Sequence, residues 1–117
     1  MPEVLTIELL WCEGCPSVER TLDELRAALV DVGLDGAHVH VRQITSDAQA
    51  REEGFVGSPT IRVAGKDVIA LAGDEYPALT CRVYRRRDGR FSPTPDPEDL
   101  REALRSVSPR ERASADA

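Results

Sequence analysis

The chain has 117 residues, 15 basic and 21 acidic side chains, a formal net charge of −6 and 41% hydrophobic residues. That length suits one domain around one core, and with 31% charged residues and ordinary Gly and Pro contents the chain is neither collagen-like, coiled coil nor compositionally disordered. Thr6 and Glu8 interrupt the apolar stretch from Val4 to Cys12, which excludes a transmembrane helix there, and Met1-Pro2-Glu3-Val4 lacks the basic start of a signal peptide, so the expected location is cytoplasmic.

Val4 to Leu10 is β-branched and nearly continuous in apolar residues, as a strand covered on both faces requires, and it ends at Trp11. From Pro16 the period changes: Val18, Leu22, Leu25, Leu29 and Val32 recur at steps of three and four, which predicts an amphipathic helix with Pro16 in its first turn and Gly33 as its stop. His38 to Ile44 alternates and predicts a second strand with one face toward water. Ser46-Asp47-Ala48-Gln49 reads as a capping box opening a short helix that runs to about Gly54. Thr60 to Ala64 and Asp67 to Leu71 predict a hairpin turning at Gly65-Lys66.

Ala78 to Tyr84 fits either a helical turn or a strand, and Asp88-Gly89 marks a turn. Asp96 and Pro97 then supply the N-cap and first-turn residue of a last helix with Leu100, Ala103, Leu104 and Val107 inward. Residues 1–107 are thus read as one domain and 108–117 as a disordered polar tail. The order β-α-β-α-β-β-α predicts an α/β fold with a central mixed four-stranded sheet and helices on both faces.

Charge is uneven, with 6 basic and 14 acidic groups in residues 1–80 but 9 and 7 in residues 81–117. Arg82, Arg85, Arg86, Arg87 and Arg90 form the only basic cluster. In an acidic chain it reads as a solvated face, so neither nucleic acid nor membrane is an expected partner. His38 and His40 lie two apart on one strand face with no third ligand at an identifiable spacing and read as solvent-facing.

Three cysteines, an odd number with two close together, do not make a disulfide scaffold; they point to redox or metal chemistry. Trp11-Cys12-Glu13-Gly14-Cys15-Pro16 falls at the junction of the first strand and first helix. A helix N-terminus stabilises a thiolate, which predicts a nucleophilic Cys12 of lowered pKa, and the CxxC spacing lets Cys15 reach back to resolve a mixed disulfide on Cys12. Glu13 acts in the opposite sense, since a carboxylate near Cys12 disfavours a second negative charge. Gly57-Ser58-Pro59-Thr60-Ile61 opens a strand, with Pro59 47 residues after Cys12. A cis bond at Pro59 would turn the Ser58 N–H and C=O toward the dithiol and offer them to an extended substrate.

Over about residues 3–107 these features resemble the thioredoxin superfamily, in a specialised thioredoxin-like or glutaredoxin-like form. The resemblance implies Cys12 as attacking thiol, Cys15 as resolving thiol, Pro59 as the cis-proline flanked by Ser58 and Thr60 at the substrate site, and Trp11 packed beside it. It implies a thiol–disulfide oxidoreductase whose only redox group is its own disulfide, acting on a protein or small-molecule disulfide or thiol with an external reductant. Two positions depart from the family's pattern: Thr6 stands where many thioredoxins bury an acid, and Glu8, on the same strand face, is the candidate substitute.

Cys81 reads either as a buried small apolar side chain or as a third thiol near the pair, activated by Arg82. Three convergent thiols would hold a soft metal or exchange disulfide partners, and a likeness to organomercury lyases belongs to that branch. The alternative function is therefore soft-metal, Cu(I) or Hg(II), or organomercurial binding by Cys12, Cys15 and Cys81. Cys12 to Glu19 also resembles metallochaperone domains, in which CxxC opens a helix. Those usually carry Met two residues before the first Cys, where this chain has Leu10, and they have no counterpart of the Gly57–Ile61 segment.

Overall fold

The structure, a computed structural model, describes residues 6–34, 36–69 and 76–106. The predicted tail, the first residues of the first strand, Val107 and the end of the predicted hairpin at Leu71 lie outside the described residues. Within them the chain runs β1 (Ile7–Trp11), α1 (Val18–Asp31), β2 (Val39–Gln43), α2 (Asp47–Glu53), β3 (Thr60–Val63), β4 (Lys66–Asp67), β5 (Tyr84–Arg85), β6 (Phe91–Ser92) and α3 (Pro97–Arg105). The fold is α/β, with a mixed four-stranded sheet in the order β2-β1-β3-β4. β1 runs parallel to β2, with Ile7 opposite Val39, and antiparallel to β3, with Leu9 opposite Ile61.

The alternation along β1 divides the core. Ile7 and Leu9 face one way and pack with Ile61 and Val63 against Leu25, Ala28 and Leu29 of α1 and Leu100 and Leu104 of α3. Leu10 and Cys12 face the other way, onto Ile44, Phe55 and Ala50 of α2. Helices therefore cover both faces of β1, which explains why its sequence is nearly continuous in apolar residues.

Several boundaries differ from the sequence reading for local reasons. The buried residues of α1 are Thr21, Leu25, Ala28 and Leu29, with Val18, Leu22 and Val32 half-buried at the margin of the same core cluster as Leu100 and Leu104 of α3. In the capping box, Ser46 Oγ accepts from the Gln49 N–H at 3.1 Å as predicted, but the Gln49 amide oxygen accepts from the N–H and hydroxyl of Thr45, one residue earlier than the cap. The hairpin turns at Ala64-Gly65, both with positive φ, instead of Gly65-Lys66, and Asp67 Oδ1 accepts the Ile69 N–H and closes β4 after two residues. Residues 84–92 form a two-stranded sheet around the Asp88-Gly89 turn. The last helix follows its sequence: Asp96 accepts the Glu98 N–H and Pro97 occupies the first turn.

Candidate functional site

Cys12 follows β1 directly and is 5% exposed, Glu13-Gly14 makes a turn in which Gly14 has φ +87°, and Cys15 is half-buried. The first i→i−4 bond of α1 runs from the Thr21 N–H to the Ser17 carbonyl at 2.9 Å, so the helix starts at Val18, beyond Pro16. Cys12 is thus six residues upstream of the helix, outside the reach of its first-turn N–H groups, and the expected lowering of its pKa is not found. Burial pushes the Cys12 thiol up, the charges of Cys15 and Cys81 push it the same way, and only the Ser58 hydroxyl pulls it down. The solvent-exposed Glu13 is not among the groups that raise it. Cys12 rests as a thiol, its S–H directed at the Thr80 carbonyl oxygen 3.7 Å away.

The Ser58–Pro59 peptide bond is cis. The backbone groups that the sequence reading reserves for substrate are engaged by the chain itself. The Ser58 N–H donates to the Thr80 carbonyl at 2.8 Å and the Arg82 N–H donates to the Ser58 carbonyl at 2.9 Å, a parallel bridge between Ser58 and Cys81. Gly57 permits that approach: with φ +142°, a Cβ there would lie 2.9 to 3.1 Å from Cβ, Cα and N of Arg82. Ser58 is 1% exposed and its hydroxyl makes no hydrogen bond of normal geometry, leaving the Cys12 sulfur as the group it influences. Thr60, also buried, donates its hydroxyl to the Gly57 carbonyl at 2.6 Å, and the Pro59 carbonyl accepts from the Tyr84 hydroxyl.

Cys81 is exposed, not buried as one reading of the sequence has it. Its neighbours alternate: Arg82 and Tyr84 turn inward while Cys81, Val83 and Arg85 face solvent. The Arg82 guanidinium does not serve Cys81; it pairs with Asp67 at 2.6 Å and lies over the Tyr84 ring at 4.5 Å. Burial pushes the Tyr84 phenol well above its usual range, so it is a donor at every physiological pH. Cys81 stays close to the pair, because Cys12 touches the carbonyl of the residue before it and a trans peptide holds the Cys81 Cα within about 3 Å of that oxygen. Among the described residues no group of three or more His, Cys, Asp or Glu side chains converges as a metal-ligand set, so the three cysteines as placed do not form one. His38 and His40 are exposed and stack edge to face.

Glu8 shares the Cys12 face of β1 but is held by Arg42 at 3.0 Å, which also pairs with Glu53 at 2.8 Å. Glu8 is engaged in that ion-pair network and is not among the groups that shift the Cys12 thiol. Trp11 is half-buried opposite Gln43 in the sheet register, on the β1 face away from Leu10. A depression of about 350 Å³ opens beside the thiol, lined by Cys12, Glu13, Gly14, Gln43, Ile44, Thr45 and Leu79. The other members of the Arg cluster mostly meet acids of the chain: Arg87 pairs with Asp99 and Glu102, and Arg90 with Asp88. Among the described residues no helix is long and apolar enough to cross a membrane.

Sequence reasoning missed Thr80, Tyr84 and Asp67 as parts of the site and gave Arg82 to Cys81 instead of to Asp67. The one available signal was the alternation from Cys81 to Arg85, hidden because its inward residues are Arg and Tyr. Comparison with protein-family models, with curated proteins and with solved structures finds no match for this chain.

Proposed function

We propose that this chain is a thioredoxin-like thiol–disulfide oxidoreductase in which Cys12 attacks a disulfide and Cys15 resolves the mixed disulfide. The observation that carries the reading is the setting of Cys12: a thiol at the end of the central strand, three residues before a second thiol, with the otherwise unpartnered Ser58 hydroxyl favouring its ionised form. The strand order β2-β1-β3-β4, with β1 and β2 parallel and β3 and β4 antiparallel, supports the thioredoxin-like assignment. The raised pKa of Cys12 makes the resting protein a slow nucleophile at neutral pH. The partners are a disulfide or thiol substrate and an external reductant, and the reaction needs no bound cofactor.

The test is a trap. With Cys15 and Cys81 both changed to Ser, a small disulfide should leave a stable mixed-disulfide adduct on Cys12, detected by intact mass and peptide mapping. The wild-type chain should instead end as the Cys12–Cys15 disulfide. A variant that forms no adduct, with a wild-type chain that forms no internal disulfide, overturns the redox reading. Stoichiometric Cu(I) or Hg(II) binding in that case assigns the pair to soft-metal binding.

A further inference from the structure

The closed edge at Ser58 and the depression beside Cys12 together narrow the substrate. Strand addition of a polypeptide needs a free backbone N–H and C=O, and both groups of Ser58 are bonded, at 2.8 and 2.9 Å, to Thr80 and Arg82. That closure is anchored: Arg82 packs on Gly57 so closely that a Cβ there would lie 2.9 Å from the Arg82 Cβ and 3.0 to 3.1 Å from its Cα and N, and the Arg82 guanidinium is paired with Asp67. Among the described residues, an approach to the thiol is the depression between the Cys12–Gly14 turn, Gln43, Thr45 and Leu79. Its volume of about 350 Å³ lies at the small end of small-molecule sites, roughly 300 to 1,000 Å³. Glu13 is the single charged side chain among its described lining residues; Gln43 and Thr45 are neutral hydrogen-bonding groups.

We infer that, on the thiol–disulfide reading above, the substrates are low-molecular-weight disulfides of neutral or positive charge that enter through this depression, not disulfide-bonded polypeptides laid along Ser58. The Cys12 thiolate attacks one sulfur of R–S–S–R, forming Cys12–S–S–R while R–S⁻ departs and takes up a proton. The Cys15 thiolate then attacks the Cys12 sulfur, the second R–S⁻ leaves and is protonated, and the chain holds a Cys12–Cys15 disulfide. Two electrons pass from the protein's dithiol to the substrate, and an external dithiol restores the reduced chain.

The experiment follows single-turnover oxidation of the pre-reduced Cys81→Ser chain, which removes the exposed competing thiol. The probes are cystamine, hydroxyethyl disulfide, oxidised glutathione and insulin, each rate being divided by that of the same disulfide with free dithiothreitol to cancel leaving-group differences. One Glu13 charge at about 6 Å from a substrate charge in water is worth about threefold in rate, so cystamine should exceed oxidised glutathione by about tenfold, with hydroxyethyl disulfide between them. Insulin should be slowest. Glu13→Gln should shrink the cystamine-to-glutathione ratio severalfold, and 0.5 M salt should do the same to the unmodified Glu13 chain. Insulin reacting as fast as the small disulfides, or a ratio indifferent to Glu13 and salt, overturns the inference while leaving the redox reading intact. Inertness toward all four disulfides overturns both.

Discussion

Replacing Gly57 by Ala probes the closure of the site directly. The added Cβ would meet Arg82 Cβ, Cα and N at 2.9, 3.0 and 3.1 Å, and two of those three atoms are backbone. The Arg82 backbone cannot retreat without stretching the Ser58–Thr80 and Arg82–Ser58 hydrogen bonds. Overpacking of this kind costs about 1–3 kcal/mol. An L-residue held at φ +142° adds about 1–3 kcal/mol, so the loss should be about 2–6 kcal/mol. Urea unfolding followed by far-UV circular dichroism measures it, and the melting temperature should fall by roughly 10–25 °C. Since the strain falls on the segment that covers Cys12, labelling of Cys12 in a Cys81→Ser background should quicken well before global unfolding. A variant less than 1 kcal/mol destabilised, with Cys12 labelled at the parent rate, would refute the close packing of Arg82 on Gly57 and with it the account of a shielded thiol.

Three further outcomes follow from the same geometry. Iodoacetamide at neutral pH should modify the exposed Cys81 before the 5%-exposed Cys12, and peptide mapping after partial reaction reads the order directly. Because the folded Cys12 pKa is raised, the native state retains a proton that the unfolded chain releases near pH 8.5; stability should therefore be full below that pH and decline as pH rises toward the folded pKa, and Cys12→Ala should remove that part of the decline. Arg82→Met should cost about 3–5 kcal/mol in urea unfolding, because it leaves the Asp67 carboxylate without its buried partner, and Asp67→Asn in the same background should recover part of the loss.

Much of the frame was legible in the chain itself. The continuous apolar run of β1, the three-and-four spacing of α1, Ser46 ahead of Gln49, and Asp96-Pro97 ahead of Leu100 each rest on neighbours a few residues apart. Such signals place β1, α1, α2 and α3 to within a few residues. The CxxC at the end of the first strand and the Ser58-Pro59 turn were visible for the same reason. The segment from Ala78 to Tyr84 was not, because its inward residues are Arg82 and Tyr84 and their partners, Asp67 and the Pro59 carbonyl, lie 15 and 25 positions away. No local pattern encodes a buried cation matched by so distant an acid.

Residue order alone therefore determined that Cys12 and Cys15 sit together at the exit of an apolar strand, and that an acidic side chain separates them. Only the tertiary structure decided how available that pair is. It starts the helix beyond Pro16, so its N–H groups do not reach Cys12. It also lays Thr80–Arg82 on Ser58, which buries the thiol and gives its proton a carbonyl acceptor. Both effects act through desolvation and the direction of backbone dipoles, which depend on where distant segments come to rest and not on the identity of the motif.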